Sequence, residues 1–433
     1  MSNKVTAKNA PKGDMGSKVK GFVVTNIVPI VFSIVCLIGV YFSGSSIPII
    51  LMDVVARFNR NAILVLSLII PILSGMGLNF GIVLGAMSGQ IALFIVTVME
   101  MSGIGGVLLA MLLSIPFAIV FGYFTGKLLN KTKGQEMITG LILGFFANGL
   151  YQFLFLYVLG GIIKIDAPGL MIGNGVGVRS TIDLAPMKYA LDRFTILNVS
   201  TEVDIFTAMM IFGAVFAVFY AVRIFIRKNA ELANKVKLGV SAAVIAIGAV
   251  CINLDSLRQW KVLVKVPMLS YSLILLVCLL IPAILRTKLG QDLRAVGQNM
   301  GVSSVAGINV DRTRIVAVCI STILAAIGQI IFLQNMGNIS TYNAHENVGM
   351  FSAAAILIGG ATVSKATVGQ ALLGTLLFHL LFNVSPMAGK NLFGSAEIGE
   401  YFRVFIAYGI IAVALALYAW KQSVQTKARL KED

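Results

Sequence analysis

The chain of 433 residues is hydrophobic at 58% of its positions and charged at only 12%, and its mean hydropathy is positive. A soluble globular protein needs more polar surface than this composition supplies, so that class is excluded. The formal net charge of +16 comes from basic residues scattered over short polar segments, which argues against nucleic acid as a partner.

Apolar runs near the roughly 20 residues that a helix needs to cross a bilayer recur along the sequence. We predict an all-α, polytopic protein of the cell membrane, surrounded by the lipid bilayer, with about 10–12 transmembrane helices, some of them re-entrant or half-helices near residues 77–89 and 359–365. The candidate spans are 21–43, 61–76, 80–99, 104–126, 137–160, 204–226, 238–253, 267–285, 315–335, 349–363, 366–385 and 402–420.

The distribution of basic residues predicts the orientation. If the N-terminus is cytoplasmic, 23 of the 34 lysines and arginines fall on the cytoplasmic side, as the positive-inside rule expects. We therefore predict two cytoplasmic tails, 1–20 and 421–433, around a transmembrane domain at 21–420, with the first apolar run an uncleaved span. The longest outer segment, 161–203, either covers a translocation path, contacts an external binding protein or is a merely solvated loop.

No arrangement of residues predicts an enzyme. All four cysteines lie in apolar runs, and the two histidines, His345 and His379, are far apart without metal-ligand spacing, so we expect neither a catalytic nor a metal site. The nearest resemblance to a nucleotide-binding P-loop, Gly122–Lys127, has the wrong spacing. We therefore expect no nucleotide site and no cofactor in this chain.

The predicted spans contain amides rather than charges. Carboxylates such as Asp53, Glu100, Glu136 and Asp204 fall at span edges, which disfavours coupling to an ion gradient. Neutral amides in a membrane can exchange hydrogen bonds with an uncharged polar solute, or they can hold helices together. The candidates for a translocation path are Asn79, Gln90, Asn148, Gln152, Gln329 and Gln334.

A strip of small residues accompanies these amides. Gly81, Gly85 and Gly89 repeat at four-residue spacing and therefore share one helical face. We interpret the strip as a close helix contact, in preference to a ligand site.

The polar segment 286–314 interrupts two long apolar runs. Basic residues at both of its ends keep it on the predicted cytoplasmic side, and Gly297, Gly301 and Gly307 divide it into pieces that can fold as two abutting helices. We predict a docking surface for a soluble partner; an ordinary loop with turn glycines is the alternative.

The sequence of this segment adds a family resemblance. Leu293–Asn299 (LRAVGQN), followed by Ala306–Val310 and a basic residue before an apolar span, resembles the coupling segment of permease subunits of ATP-binding-cassette (ABC) importers, in the group for ribose-like sugars, nucleosides and branched-chain amino acids. The resemblance extends to Gly77–Gly81, Leu324–Gly328 and Ala353–Gly360.

Two departures from that family's pattern bear on docking and on substrate. Ser303 and Ser304 replace a usual alanine pair, which is a change of small residues for small ones. Asn79 replaces an acidic residue usual in the sugar members, so the chain looks closer to the nucleoside members.

The resemblance implies a non-enzymatic permease subunit of an importer for a small polar solute, a nucleoside or simple sugar. Its implied partners are ABC ATPase subunits that bind the ATP, a second permease subunit, identical or homologous, and an extracytoplasmic solute-binding protein. An ion-coupled secondary transporter is the alternative function. The residues implied in ATPase coupling are Asp292, Arg294, Gly297, Asn299, Gly307 and Asn309, with Arg294 and Asn299 as the first candidates for contacts and the glycines setting the bend.

Overall fold

The fold comes from a computed structural model. It describes residues 26–167, 169–173, 176–196, 199–225, 232–395 and 397–402, with isolated positions as far as 416. The predicted tails at 1–20 and 421–433 lie outside the described residues, as does much of the predicted last span, 402–420.

Helices dominate the first half of the chain. They are α1 (Ile27–Ser43), α2 (Ile47–Leu66), α3 (Ile69–Leu73), α4 (Ile82–Val98), α5 (Gly103–Lys131) and α6 (Glu136–Phe153). Gly44 ends α1 with a positive φ of 60°, and Pro48 occupies the first turn of α2, where its missing N–H leaves no helical hydrogen bond unmade. Helix α6 continues as a π-helical turn, Leu154–Val158.

The second half is also helical and contains a break. Its helices are α7 (Ile205–Phe225), α8 (Leu232–Ile252), α9 (Arg258–Leu263), α10 (Met268–Arg286), α11 (Lys288–Gln298), α12 (Met300–Val305), α13 (Val310–Met336), α14 (Val348–Ile358) and α15 (Val368–Phe393). The break lies between α13 and α14, where a short strand and a turn replace helix. We call residues 341–347, between that strand and α14, the inner loop.

Short antiparallel strand pairs occur between helices of the described part. The strands are β1 (Thr181–Asp183), β2 (Thr195–Ile196), β3 (Val199–Ser200), β4 (Glu202–Asp204), β5 (Lys265–Pro267) and β6 (Asn338–Ser340). Strand β1 pairs with β6, so that Thr181 faces Ser340; β2 pairs with β3, and β4 with β5. The β1–β6 pair holds part of the segment between α6 and α7 against the end of α13.

Helix α13 is the centre of the bundle and packs against α2, α4 and α5. Helix α5 runs antiparallel to it, because Gly126 lies against Ile315 and Gly122 against Cys319. The glycine strip of α4 faces α13 as well: a Cβ at Gly85 would lie 2.6 Å from the Thr322 carbonyl oxygen. A Cβ at Gly89 would lie equally close to that of Ala326, so the close contact expected of these two glycines is present. We call the end of the bundle at Val310 the near end and the end at Met336 the far end.

The other helices surround this centre unequally. Helix α15 packs against α1, α2 and α14, whereas α7 and α8 pack chiefly against each other. Much of α13 and α15 is buried inside the protein, but α7 and α8 expose most of their apolar surface. An exposed apolar surface of this kind suits the hydrocarbon of a bilayer.

The described helices confirm a polytopic, all-α membrane protein. Seven of them are long and apolar enough to cross a bilayer, and three shorter apolar helices, α1, α4 and α14, accompany them. The half-helix expected near 359–365 is α14, which ends at Ile358.

The predicted span 61–76 is wrong in its bounds. Helix α2 starts fourteen residues earlier, at Ile47, and carries Asp53, Arg57 and Arg60. These charges lower the hydropathy of its middle, yet Arg57 stacks over the Phe382 ring at 5.2 Å and Arg60 lines a polar cavity near the far end. Because Arg57 contacts the Phe382 ring and the Arg60 Nε donates to the Ala56 carbonyl, a helix can carry these two charges here.

Candidate functional site

The polar segment 286–314 folds as two short helices, as its glycines predict. Thr287 caps α11 by accepting a hydrogen bond from the Gly290 amide at 3.4 Å. The Asn299 Oδ1 caps α12 through the Val302 amide at 3.1 Å, and the Asn309 Oδ1 caps α13 through the Arg312 amide at 2.9 Å. Gly307 turns the chain between the last two helices with a φ of +83°, which L side chains rarely adopt.

Helix α11 rests directly on the bundle. Leu293 and Val296 are buried against it. Gly297 touches the end of α3 so closely that a Cβ there would lie 2.1 Å from the Leu73 carbonyl oxygen. The segment therefore contacts the bundle on one side, in part through the end of α3.

The exposed side of the segment is partly apolar. Val302 and Val305 on α12 are 65% and 92% exposed, and they lie three residues apart on one helical face. Arg294 is exposed, but its guanidinium bonds to nearby backbone: its Nη2 donates to the Leu285 carbonyl at 2.7 Å and its Nε to that of Gly290 at 3.4 Å. Asp292 is half-buried.

A buried ion pair lies at the end of this segment. Arg314, in the second turn of α13, is fully buried and pairs with Glu136 at the start of α6. The other carboxylate oxygen of Glu136 accepts a hydrogen bond from the Gly134 amide at 2.9 Å. The pair joins the helix that follows the polar segment to α6.

A second polar group surrounds the inner loop, about halfway along the bundle. The His345 Nδ1 lies 2.5 Å from the Gln90 Oε1, and its Nε2 lies 2.9 Å from the Asn148 Oδ1. The Asn148 Nδ2 donates to the Glu346 carboxylate at 2.8 Å. Asn148 is twelve residues beyond the start of α6, which places this group about 18 Å from the near end.

Two further predicted amides join this group. The Gln329 Nε2 of α13 donates to the Ala344 carbonyl at 3.1 Å, and the Gln152 Nε2 lies 3.5 Å from the Asn148 Oδ1. The structure thus brings four of the six predicted path residues together around the inner loop. Among them, Gln329 satisfies a backbone carbonyl that a non-helical segment would leave unpaired in a membrane.

The other two predicted path residues lie elsewhere. Asn79 lies close to the near end of the bundle, where its Oδ1 accepts a hydrogen bond from the Gly81 amide at 3.0 Å. Gln334 lies near the far end and donates to Asp192 at 3.0 Å.

Asp192 is a buried carboxylate, 3% exposed, in the segment before α7. Its Oδ1 accepts hydrogen bonds from Asn59 at 2.9 Å and Ser270 at 2.6 Å, and its Oδ2 accepts from Gln334 at 3.0 Å and Asn335 at 2.6 Å. Helices α2, α10 and α13 therefore meet at one side chain.

Cavities flank the inner loop on both sides. One, of about 300 Å³, lies toward α4 and α6 and is lined by Asn148, Glu346 and Asn347 together with aromatic rings. Another, of about 260 Å³, lies toward α2, α13 and α15 and is lined by Asn343, Asn347 and His379 among others. Asn347 lines both.

A profile of the family described as "Branched-chain amino acid transport system / permease component" matches residues 193–417, more than half of the chain. The chain belongs to this family.

Among curated relatives, this permease chain is 30% identical over 130 residues to the probable ABC transporter permease protein YphD of Escherichia coli (strain K12), covering 30% of this chain and 39% of that protein. It is 29% identical over 146 residues to the nucleoside ABC transporter permease protein NupB of Lactococcus lactis subsp. cremoris (strain MG1363), covering 33% and 38%. It is 25% identical over 132 residues to the xylose transport system permease protein XylH of Haemophilus influenzae, covering 30% and 33%. The chain thus spans less than half of the length of each of these relatives. No solved structure matches it.

Sequence reasoning about this permease missed three features. Val302 and Val305 could have been found, because two valines at helical spacing stand out in a polar segment. Glu346 follows His345 in a polar interval between apolar runs, which was also a visible signal. The Arg314–Glu136 pair joins residues 178 positions apart, and no local pattern predicts it.

Proposed function

We propose that the protein is the membrane-spanning subunit of an ATP-driven importer, which passes a small polar solute, a nucleoside or simple sugar, and is coupled to separate ATPase subunits. The polar segment 286–314 carries this proposal. It combines a side held against the bundle with a side that presents two exposed valines, which is what a docking element needs. ATP would bind to the partner ATPases, and this chain would need no nucleotide site of its own.

The contacts of the segment support transmission of movement. Gly297 touches the end of α3, so displacement of α11 moves that connection. At the other end of the segment α13 begins, and Arg314 links α13 to α6 through Glu136. Helix α13 carries Gln329 and α6 carries Asn148, and both side chains hold the inner loop. A movement imposed at the near end would therefore reach both sides of the loop.

In this proposal the solute crosses beside the inner loop. Gln90, Asn148, Gln152 and Gln329 would shape the path, while Asn79 and Gln334 would act near its two ends. A second permease subunit, identical or homologous, would complete the pathway, and a solute-binding protein would deliver solute at the far end. The orientation implied by the basic residues, with the near end cytoplasmic, is part of the proposal.

The contact with the ATPase would rest on Val302 and Val305 more than on Arg294. An apolar side chain that is exposed in one chain and buried in a complex contributes to affinity through the surface it removes from water. The hydrogen bonds of Arg294 to Leu285 and Gly290 instead stabilise the turn between α10 and α11. Asn299 and Asn309 would shape the surface as helix caps, and Asp292 would lie at its edge.

Charge substitutions in the docking surface test the proposal. We expect Val302→Asp and Val305→Asp, made in the full-length chain in its native membrane, to abolish co-purification of ATPase subunits and ATP-dependent uptake. The matched control is Val262→Asp in α9, because Val262 is 64% exposed, as Val302 is, but lies outside the polar segment. If ATPase subunits still co-purify with both variants, the assignment of the docking surface to these two valines is wrong.

The alternative, an ion-coupled secondary transporter, has one observation in its favour. Glu346 places a carboxylate about halfway along the bundle, and charged groups at such depth often accompany ion movement. Uptake by intact cells separates the two functions. An ATP-driven importer stops when ATP is depleted, whereas an ion-coupled transporter continues until an uncoupler collapses the gradient.

A further inference from the structure

The cavity of about 260 Å³ between α2, α13, α14 and α15 has a lining of two kinds. One part is polar and includes Asn61, Asn338, Ser340, Asn343, Asn347 and His379. Another part is apolar and includes the rings of Phe332 and Phe351. None of its lining residues is Asp, Glu, Lys or Arg.

The polar groups of this cavity differ in exposure. The side chains of Asn338, Asn343 and Asn347 are exposed and make no hydrogen bond to any described residue. His379 is 5% exposed, and its buried Nδ1 has no hydrogen-bond partner among the described residues. A buried polar group is normally paired, because an unpaired one costs about 1–3 kcal/mol, so the Nδ1 of His379 is the group that a ligand would stabilise most.

The polar group on the other side of the inner loop differs in this respect. There Gln90, His345, Asn148 and Glu346 are paired with one another. A ligand at that group would have to break existing hydrogen bonds, whereas one in the cavity would form hydrogen bonds that the protein alone leaves unmade. The capacity to bind a polar ligand is therefore greater beside His379.

We propose that this cavity is a binding site for the transported solute, and that it accepts a neutral, hydroxyl-bearing ring. Amides and imidazole offer both donors and acceptors, which suit hydroxyl groups, and the absence of charged lining residues favours a neutral ligand over an ion. The phenylalanine rings suit the apolar face of a sugar ring. A free sugar and the sugar of a nucleoside share this chemistry. The inference rests on the proposed function only in taking the ligand to be the transported solute.

Direct binding to the purified full-length chain, without ATPase subunits or ATP, is the first test. Radiolabelled ribose, uridine and uracil are the probes, because uracil carries the base of uridine without its sugar hydroxyls. Binding of ribose and uridine supports a sugar site, and binding of uridine alone supports a nucleoside site. If uracil binds as tightly as uridine, or none of the three binds, the proposal is wrong.

Substitutions locate the site. Loss of one neutral hydrogen bond costs about 0.5–1.5 kcal/mol, so Asn343→Leu and His379→Leu should each weaken binding about two- to tenfold. Asn253→Leu is the matched control, because Asn253 is an exposed amide beyond the end of α8 and away from the cavity. Unchanged affinity in both cavity variants would overturn the assignment of the binding site to this cavity.

Chemical protection tests the site while Asn343 and His379 stay unchanged. In a chain whose four native cysteines are replaced by alanine, Ser352→Cys places a thiol in the cavity wall, and Gly144→Cys places one in the cavity on the other side of the inner loop. We expect the bound probe to slow modification by a methanethiosulfonate reagent at the first position and not at the second. Protection at the second position alone overturns the proposal. Failure of the ATPase to co-purify would leave this result unchanged, so the two proposals fail separately.

Discussion

The two ends of α13 bury charge in different ways. At the near end, one opposite charge, Glu136, neutralises Arg314. At the far end, four neutral donors from α2, α10 and α13 surround Asp192. The first arrangement joins two helices at a single point, and the second joins several elements through bonds that can be lost one at a time. We infer that the near end is rigid, whereas the contacts at the far end can open one at a time.

The largest effect is expected at the near end. Arg314→Met removes one partner and leaves a buried carboxylate, which costs about 3–5 kcal/mol in the free energy of unfolding. The double variant Arg314→Met with Glu136→Leu should recover most of this loss, because no charge then stays buried. Denaturant unfolding of the purified protein in detergent measures both.

A surface pair provides the matched control for that experiment. Lys133 and Asp311 lie 2.7 Å apart at the same end, but their side chains are 44% and 61% exposed. Lys133→Met should therefore cost no more than about 1 kcal/mol. Equal losses in Arg314→Met and Lys133→Met would contradict a special role for the buried pair.

The far end should respond more locally. Asp192→Asn replaces an accepting oxygen with an NH₂ group that faces donors, at a cost of about 1–3 kcal/mol. Because the loss falls on the segment before α7, trypsin should cut faster at Lys188 and Arg193, on the order of tenfold. Asp183→Asn, an exposed position in the same segment, is the control. Global unfolding without faster local cleavage would show that the far end is as rigid as the near end.

Between its ends α13 packs closely against α4, and Gly85 tests that contact. Gly85→Val would bring side-chain atoms against Thr322 and Ala325 and separate α4 from α13, at a cost of about 1–3 kcal/mol. Gly105→Ala is the control, because a Cβ there meets nothing within 4 Å. Thermal unfolding in detergent compares the two. A neutral Gly85→Val would mean that α4 can move freely along α13.

Local patterns predict some of these features and not others. Continuous apolar runs predicted α7, α10 and α13 to within a few residues, because hydropathy alone decides where such helices can lie. The four-residue glycine spacing predicted a contact face of α4. The start of α2 was missed because Asp53, Arg57 and Arg60 resemble a loop until their partners are known.

The candidate sites divide in the same way. Glycines and caps at 297, 299, 307 and 309 could be predicted, because turns and helix starts depend on local sequence. The grouping of Gln90, Asn148, Gln152 and Gln329 around the inner loop, with Gln334 excluded, depends on how distant helices pack. The sequence alone does not distinguish an amide that contacts His345 from one that contacts Asp192.

The smallest effect is expected at Asp204, a partly exposed carboxylate that is neither paired like Arg314 nor enclosed like Asp192. Partial burial raises its pKa, but hydrogen bonds from the Thr207 hydroxyl and from the amides of Thr207 and Phe206, with Lys265 nearby, outweigh this and hold the pKa below its ordinary value. A carboxylate whose pKa is lowered by folding contributes stability above its unfolded pKa, roughly 3.9, and loses it as the pH falls through the folded value. Asp204→Ala should therefore cost about 1 kcal/mol at pH 7, as loss of a helix cap does, and progressively less in acid. Denaturant unfolding at pH 7 and pH 3 measures this difference, with Asp255→Ala, another acidic residue at a helical start, as the control. A cost that grows in acid would have the wrong sign for a carboxylate stabilised in its charged form.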